Sequence, residues 1–396
     1  MMKKCYSGYQ AYDYLDKEYS GVRPSPGEKR VPEFLIPLNE EQEKKVEDVV
    51  SKNVFVALHD HAELLPDDIP NDMDTYRKLG RRVVAYDALS KSNYDAVFDA
   101  VCGSMAKTFS NGAWKWDEAI WDMGMRLCDI AHQDFVIKCE TIEDIYRAKR
   151  EGKIAWIIGM ESGAPIENEI DRLDVLYGLG LRQMGLTYSS SNSIGAGGQD
   201  SCDYGLTNFG KKVIGRMNKL GILIDGAHSS SRTILDAVEL SSKPIVLSHI
   251  GARSLWDTSR MATDDVLKAV AQAGGVIGVE AAPHTTMTDP QEPHTYLSVI
   301  KHFEYIRDLV GIDHVTFGTD TLYCDHVALH GASKKYIKAD TADSMVRVPY
   351  VKGMENMTEI SKNIVRYMVK ENYSDADMSK VMGGNIMRVL KETWVK

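Results

Sequence analysis

The sequence predicts an α/β protein, a (β/α)8 TIM-like barrel with an N-terminal arm and a long insertion after the first strand. Two observations predict this fold. Short apolar runs recur along the chain with helix-type segments between them, and polar residues follow most of these runs. Short apolar runs are typical of parallel strands that are buried on both faces. Eight such strands with helices between them indicate a barrel.

The predicted barrel strands are eight apolar runs in chain order. They cover residues 54–58, 135–138, 154–160, 183–186, 222–224, 244–247, 275–279 and 314–318. Between strands, Thr207 is expected to cap a helix that Gly221 ends. Residues 64–133 form the predicted insertion, which should build one wall of the active site. Residues 1–38 form the arm, and residues 39–396 form the barrel domain, which opens with a capping box at Asn39.

Composition limits the partners and the compartment. The chain has 396 residues and a formal net charge of −10, which argues against a nucleic-acid partner. No apolar run approaches the roughly 20 residues of a membrane span, and the first residues lack the apolar core of a secretory signal. The six cysteines contain no CxxC pair, which indicates free thiols and a cytoplasmic protein. The expected partner is a small-molecule substrate, and the tyrosine-rich arm leaves a homodimer open.

Histidines follow three of the predicted strands. His59 and His61 follow the first strand, His228 follows the fifth, and His249 follows the sixth. Parallel barrel strands end on one face, so these imidazoles should meet there. On an extended backbone residues two apart point the same way, so His59 and His61 could reach one ion. A single histidine at a strand end is usually structural, but this set favours a metal site.

Two carboxylates and one arginine occupy similar positions. Glu161 follows a wholly apolar strand, so it should be either a buried salt-bridge partner or a metal ligand. Asp320 follows the last strand and could act as a general base or a ligand, or could only cap the next turn. Arg260 lies after the sixth strand. Arginine suits bidentate capture of a substrate carboxylate, although a solvent-facing role is the commoner outcome for a single arginine.

Several collinear segments resemble the renal (membrane) dipeptidase family of metallopeptidases, a branch of the amidohydrolase-like barrels. They include GMESG at 159–163, the block at 205–230, PIVLSHIGARSL at 244–255, HVTFGTD at 314–320 and MGGNIMRVL at 382–390. The resemblance implies two zinc ions that share a bridging hydroxide, which attacks an amide carbonyl. It also implies family roles for five residues, namely the bridging glutamate at Glu161, ligand histidines at His228 and His249, a carboxylate-binding arginine at Arg260 and the last-strand aspartate at Asp320.

The chain departs from the family pattern at two places. The family opens with a His-x-Asp pair, whereas this chain has His59 and His61, or in an alternative register His61 and Glu63. The first register is favoured because it keeps residues 54–58 as the strand. The family's catalytic histidine after the fourth strand corresponds to Tyr188. A phenol can donate a hydrogen bond to a developing oxyanion, but it is a neutral donor with a pKa of about 10.

The sequence therefore predicts a cytoplasmic, metal-dependent hydrolase that cleaves an amide bond of a dipeptide or another small carboxylated amide through a metal-bound hydroxide. One or two Zn²⁺, or another divalent metal, should be held by His59, His61, Glu161, His228 and His249. Asp320 should move the proton, Tyr188 should polarise the carbonyl and contact the substrate, and Arg260 should bind the substrate carboxylate. The alternatives are another metal-assisted reaction, such as lactam or cyclic amide opening or decarboxylation, and a non-catalytic barrel that binds a small ligand.

Overall fold

The computed structural model describes most of the barrel. The described residues are 4, 6, 8–11, 13–14, 31–69, 71–72, 75–76, 82–101, 114–323, 326 and 350–394. Most of the predicted arm, and part of the predicted insertion, lie outside these residues. None of the helices in the described part of the chain is long and apolar enough to span a membrane.

A parallel sheet forms the centre of the fold. Its strands and those of a small antiparallel ribbon are Val56–Asp60 (β1), Glu63–Leu64 (β2), Val83–Val84 (β3), Ala96–Val101 (β4), Val136–Lys138 (β5), Ile154–Met160 (β6), Leu181–Gly185 (β7), Leu223–Asp225 (β8), Val246–Ile250 (β9), Val276–Val279 (β10) and Val315–Phe317 (β11). Eight strands pair in the order β1-β4-β6-β7-β8-β9-β10-β11, whereas β5 pairs with β6 off this path. Strands β2 and β3 form the ribbon.

Helices follow most of the sheet strands. They are Glu40–Lys52 (α1), Tyr86–Lys91 (α2), Trp116–Ala131 (α3), Ile142–Glu151 (α4), Arg172–Leu179 (α5), Asn208–Leu220 (α6), Ser231–Leu240 (α7), Asp264–Gln272 (α8), Tyr296–Val310 (α9), Met357–Lys370 (α10), Asp375–Ser379 (α11) and Asn385–Thr393 (α12). The predicted ends of α6 are confirmed. Thr207 accepts a hydrogen bond from the Gly210 backbone N–H, and Gly221 ends α6 at a φ of 80°.

The first and last strands of the path meet just beyond β11. The Asp320 N–H donates to the His59 carbonyl at 3.1 Å, and the His61 N–H donates to the Thr321 carbonyl at 2.9 Å. These two bonds nearly close the sheet into a barrel, so the predicted fold class is confirmed. They also place the residues that follow β1 and β11 side by side.

The second barrel strand differs from the prediction. It is β4, inside the stretch predicted as an insertion, and all six of its residues are buried. The predicted strand at 135–138 is β5, which pairs only with the first residues of β6, from Val136 opposite Ile154. Asp99 interrupts the apolar pattern of β4. Its carboxylate is buried, with Oδ2 at 3.5 Å from Nε of Arg126. The insertion after the first strand is therefore shorter than expected and holds β2, β3 and α2.

Alternate strand residues fill the barrel interior. Val56 and Leu58 of β1, Phe98 of β4 and Ile157 of β6 belong to one buried cluster that also includes residues of α12. Their neighbours on the same strands pack outwards against the helices in a second cluster. This alternation is expected for a closed sheet that is covered by helices.

Candidate metal centre

The six residues predicted to hold a metal or move a proton converge at the carboxyl ends of the strands. They are His59, His61, Glu161, His228, His249 and Asp320, and five of them are buried. We refer to this set as the metal centre. Two of its members lie within strands, His59 in β1 and His249 in β9, whereas the others follow strand ends by one to three residues. The parallel sheet brings them together because all of its strands end on this face.

Glu161 lies between the histidines. Its Oε1 is 3.0 Å from Nε2 of His228, 3.4 Å from Nε2 of His249 and 3.9 Å from Nε2 of His59. Its Oε2 is 4.0 Å from Nε2 of His61. The two carboxylate oxygens thus face different imidazoles, which is the geometry of a carboxylate that could bridge two cations.

A glycine on the neighbouring strand allows this position. A Cβ at Gly185, the last residue of β7, would lie 2.1 Å from the Glu161 carbonyl oxygen. Only glycine fits such a close approach without a backbone shift. The glycine therefore lets β7 pack against the end of β6 and holds the Glu161 backbone in place.

Asp320 completes the side of the centre near β1. Its Oδ1 lies 3.0 Å from Nε2 of His61 and 3.5 Å from Nε2 of His59. Burial alone would raise the pKa of Asp320, but hydrogen bonds from His59 and His61 hold it well below its usual range. Asp320 is therefore an ionised acceptor, and its backbone adopts a left-handed φ of 52°.

A hydrogen-bond chain orients His249. The Ser248 hydroxyl donates to the Asp225 carboxylate, and the same oxygen lies 2.7 Å from Nδ1 of His249. Because the hydroxyl hydrogen goes to Asp225, the serine oxygen accepts from Nδ1–H and leaves the Nε2 lone pair facing Glu161. Burial lowers the pKa of His249 well below its usual value, so the imidazole is neutral, as a metal ligand must be.

Asp60 has a corresponding role behind β1. Its Oδ1 accepts from the Thr319 hydroxyl at 2.8 Å and from both the backbone N–H and the hydroxyl of Thr321 at 3.0 Å. Burial raises the pKa of Asp60 to about 6. The side chain points away from its neighbours His59 and His61, and it ties their strand to the segment that carries Asp320.

The structure separates the two registers considered for the first motif. His59 and His61 both face the metal centre, and their ring centroids are 5.1 Å apart. Glu63 lies in β2 instead, buried, with its Oε2 3.6 Å from Nε of Arg82. The favoured pair of His59 and His61 is thus the pair that the fold brings together.

Tyr188 forms part of the wall beside His228. The two ring centroids are 4.1 Å apart, and the centroid of the Trp114 ring lies 5.7 Å from that of Tyr188. His228 has a left-handed φ of 64°, and its Nε2 lies 2.9 Å from Nε2 of His249. Tyr188 is therefore next to the metal centre, at the place that the sequence predicted.

Arg260 reaches the same face but is already engaged. Its Nη2 donates to the His249 carbonyl at 2.8 Å and also to Oε2 of Glu280. Glu280 follows β10 and is completely buried. Burial raises the pKa of Glu280, and the adjacent Arg260 guanidinium opposes this rise because it favours the ionised carboxylate. The bidentate fork expected from the sequence is not preformed.

Sequence reasoning missed Glu280, Ser248, Asp225 and Asp60. Their positions did carry a signal, since each lies within or directly after an apolar strand run. Glu280, Ser248 and Asp60 each have a partner far along the chain. Arg260, Asp225 and Thr321 lie 20, 23 and 261 residues from them, respectively. Only the fold shows which partner each side chain meets.

The donor set fits a divalent cation. His59, Glu161, His249 and Asp320 each offer one ligand atom, and these atoms all lie within 4.8 Å of one another. Ligand bonds of about 2.0–2.2 Å to a single ion place donor atoms within about 4.4 Å of one another, so these four atoms need only small side-chain shifts to share one ion. Imidazole and carboxylate donors suit zinc and related metals.

A comparison with known families agrees with this geometry. The family model described as membrane dipeptidase (peptidase family M19) matches residues 43–332. The chain belongs to this family. Its matched region covers every residue of the metal centre, together with Tyr188, Arg260 and Glu280.

Individual relatives are distant. Dipeptidase tcpJ of Claviceps purpurea (strain 20.1) is 26% identical over 273 residues, which is 68% of this chain and 58% of the relative. An amidohydrolase from Pseudomonas aeruginosa has a TM-score of 0.72 at 22% identity, over 88% of this chain and 99% of its own. A metallopeptidase from Rhodobacter sphaeroides, liganded with a phosphinate mimic of the dipeptide L-Ala-D-Ala, has a TM-score of 0.66 at 18% identity, over 87% and 100%. The two structures share the barrel fold with this chain.

Proposed function

We propose that this protein is a metal-dependent hydrolase that cleaves an amide bond of a dipeptide or another small carboxylated amide, with the carboxylate free or blocked. The observation that carries the proposal is the position of Glu161, whose two oxygens face four imidazoles. Carboxylate oxygens and imidazole nitrogens that converge in the protein interior are the donors of divalent metal sites, so this arrangement offers a ligand set for a metal ion.

We propose zinc as the metal, in one or two ions per chain. The residues that would hold it are His59, His61, Glu161, His228 and His249. Histidine-rich sets with one carboxylate are typical of hydrolytic zinc sites. When bound, zinc acts as a Lewis acid that activates water and polarises an amide carbonyl.

The side chains around the metal centre would divide the remaining work. Asp320 is ionised and lies at the edge of the centre, so it would accept the proton of the attacking water and pass it to the leaving amine. Tyr188 would donate a hydrogen bond to the oxygen of the attacked carbonyl. Arg260 would contact the far end of the substrate, which limits the substrate to a dipeptide-sized molecule.

The relatives support an amide substrate. The Claviceps purpurea relative is named a dipeptidase, and the Rhodobacter sphaeroides metallopeptidase was solved with a dipeptide mimic. The chain matches about 58% of the length of the curated relative, so this support concerns the barrel. A cytoplasmic location, a homodimer and the absence of nucleic-acid partners stay predictions from the sequence.

Metal analysis and dipeptide hydrolysis test the proposal together. Purified protein should carry one to two zinc ions per chain, and hydrolysis should stop when a chelator removes them. His228→Ala and His249→Ala should each lower zinc content and activity in parallel, whereas the exposed His132→Ala should change neither. Zinc binding without hydrolysis of any dipeptide would favour another metal-assisted reaction. Full activity after chelation, or a folded protein that binds no metal, would refute the proposal.

A further inference from the structure

The hydrogens of the Arg260 guanidinium decide what this residue can bind. A guanidinium offers two faces for a carboxylate, one formed by Nη1 and Nη2 and the other by Nε and Nη2. Both faces use Nη2. In this structure Nη2 donates to the His249 carbonyl and to Glu280, so both of its hydrogens are taken. Neither face can therefore bind a substrate carboxylate through two parallel hydrogen bonds.

The charge of Arg260 is also compensated. Glu280 is 0% exposed, and its Oε2 is within hydrogen-bond distance of Nη2. A carboxylate that is buried so completely cannot swing into water when a substrate arrives. Displacing it would strand a charge in the protein interior, which is more costly than the contact that a second carboxylate would gain. A substrate at this position therefore meets a neutral pair.

Nη2 uses two of the five N–H groups of Arg260, so those on Nε and Nη1 remain. Of these two nitrogens, Nη1 is buried and has no hydrogen-bond partner in the described part of the chain. A buried donor without a partner is unfavourable, and a single uncharged acceptor would satisfy it. A carbonyl oxygen offers this acceptor without adding a negative charge beside Glu280 and Asp320, whose charges already influence each other.

We propose that Glu280 is a specificity-determining residue. By compensating the charge of Arg260, it leads Arg260 to donate a hydrogen bond to an uncharged carbonyl at the far end of the substrate. The preferred substrates are then dipeptides whose terminal carboxylate is blocked as an amide or an ester. This inference rests on the proposed function, because it names the substrate class of the same site. The sequence resemblance alone implied a free carboxylate at Arg260.

The test compares matched pairs of probes on the zinc-loaded protein. L-Ala-L-Ala and L-Ala-D-Ala are each compared with their C-terminal amides, and kcat/KM is measured for every member. Calorimetry gives a second readout that needs no turnover, with the phosphinate mimic of L-Ala-D-Ala as free acid and as amide. We expect the natural protein to prefer the amide in both measurements, by roughly tenfold, as for one charged contact.

Glu280→Gln restores the positive charge of Arg260 with almost no change of shape. We expect it to shift the ratio of acid to amide at least tenfold towards the acid, in affinity as well as in kcat/KM. Glu280→Asp keeps the charge and should keep the preference for the amide. Glu292→Gln makes the same chemical change at an exposed position beside Lys301 and should change nothing.

The outcomes separate the two proposals. If Glu280→Gln fails to fold, the preference of the natural protein decides alone, and a preference for the free acid overturns the role of Glu280. The same conclusion follows if Glu280→Gln folds and leaves the ratio unchanged. If neither member of any pair is hydrolysed or bound in a chelator-sensitive way, the proposed function fails, and the assignment of Glu280 fails with it.

Discussion

The metal centre and a second buried polar group both lie beside β1 and β4, yet their carboxylates have different partners. We call the second group the Arg82 cluster, and it consists of Glu63, Arg82, Asp99, Asp122 and Arg126. In it, Nη2 of Arg82 lies 3.0 Å from Oδ2 of Asp122, and Nε of Arg82 lies 3.6 Å from Oε2 of Glu63. Nε of Arg126 lies 3.5 Å from Oδ2 of Asp99. In the metal centre, Glu161 faces imidazoles instead.

This difference distinguishes a structural carboxylate from the one that we propose as a metal ligand. A guanidinium is always charged, so it compensates a buried carboxylate permanently. It has no lone pair of its own that could bind a metal. An imidazole can stay neutral and offer a lone pair, as His249 does. Glu63 and Glu161 are equally buried, but only Glu161 has neighbours that can share a cation with it.

The largest expected effect outside catalysis concerns the Arg82 cluster. Asp99→Asn removes a carboxylate that pairs with Arg126, which is itself buried. Breaking a buried ion pair costs about 3–5 kcal/mol of the free energy of unfolding, and denaturant titration measures it. Zinc content should not change. Asp48→Asn, which breaks an exposed pair with Lys52, should change the free energy of unfolding far less, because solvent screens this pair. A loss of zinc without a loss of stability would show that the two groups are not distinct.

A smaller effect is expected at the wall of the metal centre. Tyr188→Phe keeps the ring that packs on His228, so fold and zinc content should be retained. Loss of one hydrogen-bond donor to the developing oxyanion should lower kcat on the order of 10²-fold. Tyr204→Phe, at an exposed position in the same loop region, serves as the control. An unchanged kcat in Tyr188→Phe would make the phenol a structural group.

The comparison extends to buried histidines outside the metal centre. Nδ1 of His302 accepts from the Ala252 N–H at 3.0 Å, and its Nε2 donates to the Met287 carbonyl at 2.9 Å. His294 also has partners for both nitrogens, namely the His284 N–H and the Thr286 hydroxyl. These rings have no lone pair left for a metal, so their burial serves the fold.

Acid should therefore destabilise the protein through these two rings. Burial lowers the pKa of His302 to about 4 and that of His294 to about 3, whereas both protonate near 6.5 in the unfolded chain. Below pH 6.5 the unfolded state binds more protons, so stability falls as pH falls, by about 1.4 kcal/mol per pH unit for each ring. In metal-free protein, His302→Gln should reduce this slope between pH 6.5 and 4 by one proton. An unchanged slope would show that the folded protein does not lower the pKa of His302.

The sequence was sufficient to predict the barrel and most of the metal centre. Histidines and carboxylates directly after apolar strands can be recognised locally, and parallel strands must end on one face. β4 was missed because Asp99 looks like a break in an apolar run. Arg126, 27 residues further along the chain, and Arg82 make its burial tolerable. The contact between Arg260 and Glu280 was missed because the two residues follow different strands, and only the fold brings them together.

Zinc binding in the natural protein and in Glu161→Gln tests the central claim most directly. At free zinc about 100 times the dissociation constant, the natural protein should gain about 2.7 kcal/mol in the free energy of unfolding. Glu161→Gln should fold, because the amide has nearly the size and shape of the carboxylate, but it should lose most of this gain and most of its bound zinc. Equal zinc stabilisation of the two proteins, or no stabilisation of the natural one, would contradict the assignment of Glu161 as the residue around which the site is built.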